Sequence, residues 1–318
     1  MHSTSNSNQV IFATAGYDHT IRFWEAHSGI CLKVLPHNES QVNCMAIHPN
    51  KKLLATGGYQ HVSIYDWLNT SSSNYNVEGT FKNTIAIGFN ENGNWMYTAG
   101  EDKTVRLWDM KDFYRLKHIN PIKVLSHTQP ITCCGLHPNQ VDFLIGDEAG
   151  QLLRWDIRMN QPVILNSESK VAMRSLTINQ EGNMMAIVNN EGNCWIWSLT
   201  GGFGSTALDL GRRDLINPHK RYALKVLFSP DSTLLATSSA DGTAKIWTTV
   251  DLKLVSECRD NMPRWVWDMA FTCDSEYLFT VSSDKLAKLW KVKSGECVKN
   301  FAGHQKPVVC LAYSDTKS

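Results

Sequence analysis

The 318-residue sequence contains no apolar run approaching the ~18–20 residues that a membrane-spanning helix requires, so direct insertion into a bilayer by that route is excluded. It also lacks an excess of either charge: 31 Lys+Arg against 30 Asp+Glu leave a formal charge of +1. A general polyanion binder needs surplus cations to neutralise phosphates, so nucleic acid is not an expected partner. Nine cysteines are present, but none falls in a C-x-x-C or zinc-type spacing. Several lie inside apolar runs such as Val308-Val309-Cys310-Leu311-Ala312, as expected for buried thiols in a reducing compartment, cytosolic or nuclear. There is no H-E-x-x-H, and the glycine-rich stretch Thr200-Gly201-Gly202-Phe203-Gly204-Ser205 fits neither the dinucleotide nor the Walker pattern. No metal, cofactor or catalytic residue is therefore expected. The polar stretch Met1 to Gln9 has no apolar core and reads as a short flexible tail, not a signal peptide.

Tryptophan, in contrast, is abundant, with 11 copies. Most of them mark a repeat. Asp18-His-Thr-Ile-Arg-Phe-Trp24, Asp102-Lys-Thr-Val-Arg-Leu-Trp108, Asp241-Gly-Thr-Ala-Lys-Ile-Trp247 and Asp284-Lys-Leu-Ala-Lys-Leu-Trp290 share one pattern. Looser copies end at Tyr65, Trp155 and Trp197. From 24 to 290 the anchors advance in six steps averaging about 44 residues, the period of WD repeats. Length alone suggests roughly two domains; seven units at this period leave room for only one.

Each unit has the same internal order. Short β-rich runs such as Val42–Ile47, Leu53–Gly58 and Val62–Tyr65 are separated by turns rich in Pro, Asn, Gly and Asp, and no helical stripe interrupts them. The runs are apolar or small on both faces, which suits sheets packed between two neighbours. The expected fold is all-β, a seven-bladed WD40 β-propeller. The first run, Val10 to Gly16, matches a second strand, whereas Val308 to Tyr313 matches a first strand with nothing after it. The C-terminal strand should therefore pair with the N-terminal strands and close the ring. The expected organisation is a tail over 1–9, one propeller over 10–315 and a tail over 316–318.

The sets His304/Thr14/Asp18 and His219/Thr237/Asp241 contain the residue types of nucleophilic catalysis, yet they recur, whereas a catalytic site would occur once. They read as buried hydrogen-bonded networks ending on the third-strand Trp. Arg212-Arg213 and Lys220-Arg221 form a modest basic cluster, either a solvated face or a contact for an acidic partner.

A propeller binds partners through loops at the end of the ring where first strands start and second-to-third-strand turns cross. The repeat places Tyr17, Tyr59, Glu101, Asn190, Ala240 and Ser283 in those turns. It places Gln41, Asn83, Pro130, Arg221-Tyr222, Trp265-Val266-Trp267 and Lys306 at the strand starts. Trp265 and Trp267 belong to no anchor, and at least one should lie at the rim; Trp267 packing between blades is the alternative. With Tyr17, Tyr59, Arg221 and Tyr222 they supply the Trp/Tyr/Arg chemistry of interface hot spots. The candidate binding residues are Tyr17, Gln41, Tyr59, Glu101, Arg221, Tyr222, Trp265 and Trp267.

Beyond the generic repeat, the stretches ATAGYDHTIRFWEAHSGIC (13–31), NWMYTAGEDKTVRLWD (94–109), GNCWIWSLTGG (192–202), RYAL (221–224), RWVWDMAF (264–271) and GHQKPVVCLA (303–312) resemble the GβL family. That family is the seven-bladed WD-repeat subunit of TOR (target of rapamycin) kinase complexes. The resemblance implies a non-catalytic subunit of both TOR complexes that docks on the C-lobe of the kinase domain. It implies support of kinase activity and of complex assembly with accessory subunits in nutrient and growth signalling. It further implies a cytoplasmic protein recruited to endomembranes, lysosome or vacuole, through the kinase complex. The stretches 68–83 and 112–126 depart from the family pattern. One rival reading is a substrate receptor of a cullin-RING ubiquitin ligase, since Trp155-Asp156-Ile157-Arg158 fits a W-D-x-R docking pattern.

Overall fold

Among the described residues, the β-branched and aromatic runs of the repeat form 28 strands in seven four-stranded antiparallel sheets. The computed structural model describes residues 10–37, 40–68, 74–77, 79, 82–111, 121–166, 170–201 and 208–315. The two expected tails, 1–9 and 316–318, the glycine-rich stretch from 202 onward and most of the divergent stretches 68–83 and 112–126 lie outside these residues. We number the sheets as blades I to VII by their inner strands: Val308–Ser314, Val42–Ile47, Thr84–Phe89, Ile131–Leu136, Met173–Ile178, Ala223–Phe228 and Val266–Phe271. Each inner strand lies beside that of the next blade, and blade VII returns to blade I. The fold is a seven-bladed β-propeller.

Closure takes the expected form. Val308–Ser314 pairs antiparallel with Ile11–Gly16, so blade I is built from both ends of the chain. The seam between blades VII and I is filled with aromatic rings. Phe12 stacks on Phe279 at 4.2 Å between centroids and meets Phe301 edge-on at 5.0 Å, while Tyr313 lies 4.9 Å from Phe279.

The hydrophobic core is divided into seven clusters, one per seam between blades. This division accounts for the tryptophan repeat. Each anchor packs against the preceding blade: Trp24 on blade VII, Trp108 on blade II, Trp155 on blade III and Trp290 on blade VI. A buried indole N–H needs an acceptor. Thr14, Thr98, Thr237 and Thr280 supply it for Trp24, Trp108, Trp247 and Trp290, at 2.7, 2.9, 3.2 and 2.8 Å. In blade IV that position holds Ile145, and Trp155 donates to the Met159 carbonyl at 3.1 Å.

Among the described residues, the complete Trp–Thr–His–Asp chain forms in blades I and VI. In blade I, Trp24 donates to Thr14, Thr14 Oγ1 lies 2.8 Å from His304 Nε2, and His304 Nδ1 lies 2.8 Å from Asp18. Donors and acceptors match along this chain with a neutral imidazole whose Nδ1–H faces the carboxylate. Burial holds the His304 ring below its ordinary value of 6.5, against the opposing pull of Asp18. At Asp18 burial acts upward, but His304, the Gln305 N–H and Thr20 more than offset it, so the carboxyl lies below its ordinary 3.8. Blade VI repeats the arrangement with His219, Thr237 and Asp241 at 2.9 Å each. Blades III and VII fill the same gap with a cation instead: Arg106 on Asp102, and Lys288 between Asp260 and Asp284.

Two further ties recur without a signal in the sequence. On the outer strands, Lys33, Lys123 and Lys299 reach carbonyls of the following blade, on Trp67 (2.6 Å), Ile157 (2.5 Å) and His27. On the inner strands, Cys310 and Cys44 donate to Val42 and Thr84 carbonyls at 3.6 Å, and Asp268 accepts from the Leu311 N–H at 3.1 Å. Asp268 also holds Lys225 of blade VI at 2.8 Å, so one carboxylate joins three consecutive blades.

Candidate partner-binding site

The turn between second and third strands is hydrogen-bonded to the start of its inner strand around the ring. Tyr17 N–H donates to Pro307 O at 3.0 Å, Glu101 to Asn83 at 3.0 Å, Ala240 to Tyr222 at 2.9 Å and Ser283 to Trp265 at 3.0 Å. Turns and strand starts therefore share one face, and the eight sequence-derived residues all stand on it. Tyr17, Gln41, Glu101 and Trp267 line a central cavity of about 590 Å3. Tyr59 (50 % exposed), Tyr222 (47 %), Trp265 (39 %) and the exposed Arg221 stand around it.

A repeated β-bulge determines what enters the cavity. In every inner strand the register slips by one residue near the start, as between Val42 and Cys44 or Val266 and Asp268. An extra residue on one strand re-aims its side chain. The seven residues so displaced, Asn43, Ile85, Thr132, Arg174, Leu224, Trp267 and Val309, all line the cavity. Trp267 is the one aromatic among them. It therefore lies at the cavity wall and not between blades, and its Nε1–H donates to Ser283 Oγ at 2.7 Å.

On blades VI and VII the aromatics form a continuous set. Trp265 lies 5.1 Å from Trp267, and Tyr222 meets Trp265 edge-on at 6.4 Å. The loop that carries Trp265 rests on Gly242, whose φ of +86° belongs to the left-handed region. A Cβ there would lie 2.4 Å from Pro263 Cβ, so only glycine lets the blade VI turn pass beneath this loop.

On blades II and III the same face is built from amides and a carboxylate. Asn43 Nδ2 donates to Asn83 Oδ1 at 3.2 Å, and Asn83 Nδ2 donates to Glu101 Oε2 at 2.9 Å. Tyr59 is held by a backbone bridge to Asn83 and by its N–H on Ser40 Oγ at 3.2 Å.

The basic cluster read from the sequence divides in the fold. Arg213 lies on an outer strand, over the Trp195 and Trp197 rings at 5.3 and 5.4 Å. Lys220 and Arg221 belong to the cavity face and are exposed. The strand starts and turns also bring exposed Arg264, Lys285 and Lys306 onto that face. Arg264 and Lys285 stand at repeat positions recognisable in the sequence, immediately before Trp265 and immediately after the turn Asp284.

All nine cysteines are free thiols; Cys297 is the exposed one. Burial pushes the Cys44 and Cys133 thiols, both at the cavity, up to about 12. A nucleophilic cysteine requires the opposite shift. Among the described residues no group of His, Cys, Asp and Glu could hold a metal ion. In the W-D-x-R stretch, Arg158 folds back on Asp156, with Nε and a terminal guanidinium nitrogen at 2.9 and 2.6 Å from its oxygens.

The WD domain, G-beta repeat family matches residues 29–66, 74–109, 215–248 and 253–291. The chain is 47 % identical over 322 aligned residues to "Target of rapamycin complex subunit LST8" of Bos taurus, covering 98 % of this chain and 97 % of the relative. It is 42 % identical to "Target of rapamycin complex subunit wat1" of Schizosaccharomyces pombe, with 97 % and 96 % covered. To "Target of rapamycin complex subunit LST8" of Saccharomyces cerevisiae it is 37 % identical, with 96 % and 99 % covered. A seven-bladed ring that matches these relatives along nearly its whole length identifies the chain as a member of the LST8, or GβL, family of WD-repeat proteins.

Proposed function

We propose that the chain is a non-catalytic subunit of both TOR kinase complexes, docked through its cavity face on the C-lobe of the kinase domain. The observation that carries this reading is the set Tyr222, Trp265 and Trp267, held in place by the blade VII bulge and the Gly242 turn. Partly exposed Trp and Tyr beside Arg are the residues that dominate protein interfaces when buried by a partner. The relatives named as target of rapamycin complex subunits support the choice of partner. The recurring His, Thr and Asp residues are committed to holding Trp24 and Trp247, which supports a scaffold role over a catalytic one. In this role the subunit supports kinase activity and complex assembly with accessory subunits in nutrient and growth signalling. It is cytoplasmic and reaches endomembranes through the kinase. Affinity purification followed by mass spectrometry tests the reading: a TOR-sized kinase is expected in the wild-type eluate and strongly depleted with Trp265→Ala at unchanged melting temperature. A folded wild-type propeller that recovers no such kinase overturns it.

A further inference from the structure

Charge on the cavity face is unevenly distributed, although the whole chain is close to neutral. Along the arc from blade VI through blade VII to blade I stand Lys220, Arg221, Arg264, Lys285 and Lys306, all exposed. Among the described residues none of these side chains has a carboxylate partner. The four carboxylates of the same arc are bonded within the fold, Asp241 to His219, Asp18 to His304, and Asp260 and Asp284 to Lys288; counting Lys288, six cations exceed these four carboxylates by two. On blades II to IV, in contrast, the same face carries Glu101 and Glu148 as well as Lys82 and Lys103, and the balance of these four is even.

The surplus coincides with a depression. A groove of about 580 Å3 on blade VII is lined by Met262, Arg264, Ser283, Lys285 and Leu286, together with the engaged Asp260 and Asp284. Met262 is 75 % exposed, and Trp265, next in the chain after Arg264, is 39 % exposed. Arg264 and Lys285 beside Met262 and Leu286, with Trp265 next in the chain, favour a segment that alternates carboxylates with apolar side chains. Lipid headgroups would meet the cations, but a bilayer surface offers nothing to fill a concave groove beside the cavity mouth.

We propose that this arc receives an acidic, apolar-bearing protein segment of the kinase, and that its cations steer the encounter while Trp265 holds the bound state. The proposal rests on the docking face assigned above and adds the chemistry of what docks there. Opposite charges brought together at an interface rim act on the association rate and its salt dependence more than on the dissociation rate.

The test measures binding of the purified full-length propeller to immobilised TOR kinase of the same organism, at NaCl concentrations between about 50 and about 300 mM. The wild-type association rate is expected to fall about tenfold or more across this range. Arg264→Glu combined with Lys285→Glu should lower the low-salt association rate about tenfold and flatten its salt slope. Both side chains are exposed, so melting should not change, and Lys52→Glu on the opposite face should bind as wild type. If the double variant keeps the wild-type rate and slope while Trp265→Ala loses binding, the charge proposal is overturned and the docking face stands. If neither variant affects binding, the docking face fails with it. Vesicles containing phosphatidylserine form the other arm. Wild-type binding to them that the double variant loses, with kinase association insensitive to salt, would assign the arc to membranes and overturn the proposal.

Discussion

Two arcs of one face, built on the same repeat, have been given different chemistry. On blades VI and VII, Tyr222, Trp265 and Trp267 touch in series and unpaired cations surround them. On blades II and III the same face holds Tyr59, Asn43, Asn83 and Glu101; Asn43, Asn83 and Glu101 are bonded in series through their side chains, and the Tyr59 backbone bridges to Asn83. The backbone is the same in both: a bulge near the start of the inner strand and a turn hydrogen-bonded back to it. The ring is thus a scaffold indifferent to what its bulges present, and specificity enters at single side chains. An aromatic at the bulge leaves apolar surface for a partner to bury, whereas amides that satisfy each other have less to gain.

The largest expected effect removes the frame that both arcs share. Deleting residues 304–318 takes away the inner strand of blade I and with it Tyr313, whose ring packs against Phe12 and Phe279. A fall in melting temperature of more than ~10 °C, or loss of soluble protein, is expected from calorimetry, because such a loss exceeds the few kcal/mol typical of single core truncations. Melting like the intact chain would show that the ring does not depend on this closure.

The next effect separates the arcs. Trp265→Ala should weaken kinase capture by on the order of 2 kcal/mol, roughly thirtyfold, with melting unchanged. Glu101→Ala, on the amide arc, should change capture by less than about threefold, since a rim carboxylate bonded to its neighbours contributes little. Equal losses in equilibrium binding would abolish the distinction between the arcs.

Smaller effects concern the blade I network. Thr14→Val should cost about 1–3 kcal/mol in chemical denaturation, because it leaves the Trp24 N–H and one His304 nitrogen without partners. Its pH dependence has a definite sign. His304 is held below its ordinary 6.5, so below that pH the unfolded chain binds a proton that the folded chain does not. Stability should therefore fall as the pH drops through 6.5, by at most about 1.4 kcal/mol per pH unit for this one group. Asp18, held below 3.8, adds a second loss from about pH 4 downward, as its folded-state carboxylate is finally protonated. His304→Gln should flatten the first phase and leave the second. A wild-type stability that is level from pH 7 to 5 would contradict this assignment.

Much of the fold was legible because tryptophan repeats at a period that only a stacked architecture explains, and each anchor fills one seam. The closure could be read from two half-repeats whose strand patterns complement each other. The common face of the eight candidate residues was legible from their repeat positions. Three things were not legible. The bulge that turns Trp267 into the cavity has no residue signature: Asn43, Arg174 and Trp267 occupy the same bulge position. The ties between blades run from Lys, Cys or Asp to backbone carbonyls or N–H groups, and backbone acceptors leave no trace in a sequence. The cationic arc depended on which carboxylates were already engaged, a property of pairing and not of composition.

The central claim is that the kinase is bound by the arc of blades VI and VII. Hydrogen–deuterium exchange of the propeller, alone and bound to TOR kinase, tests it most directly. Slowed exchange is expected in 220–223, 262–267 and 283–286, with the opposite-face turns 48–52 and 273–277 unchanged. Protection confined to those opposite-face turns, with 262–267 exchanging as in the free protein, would contradict it.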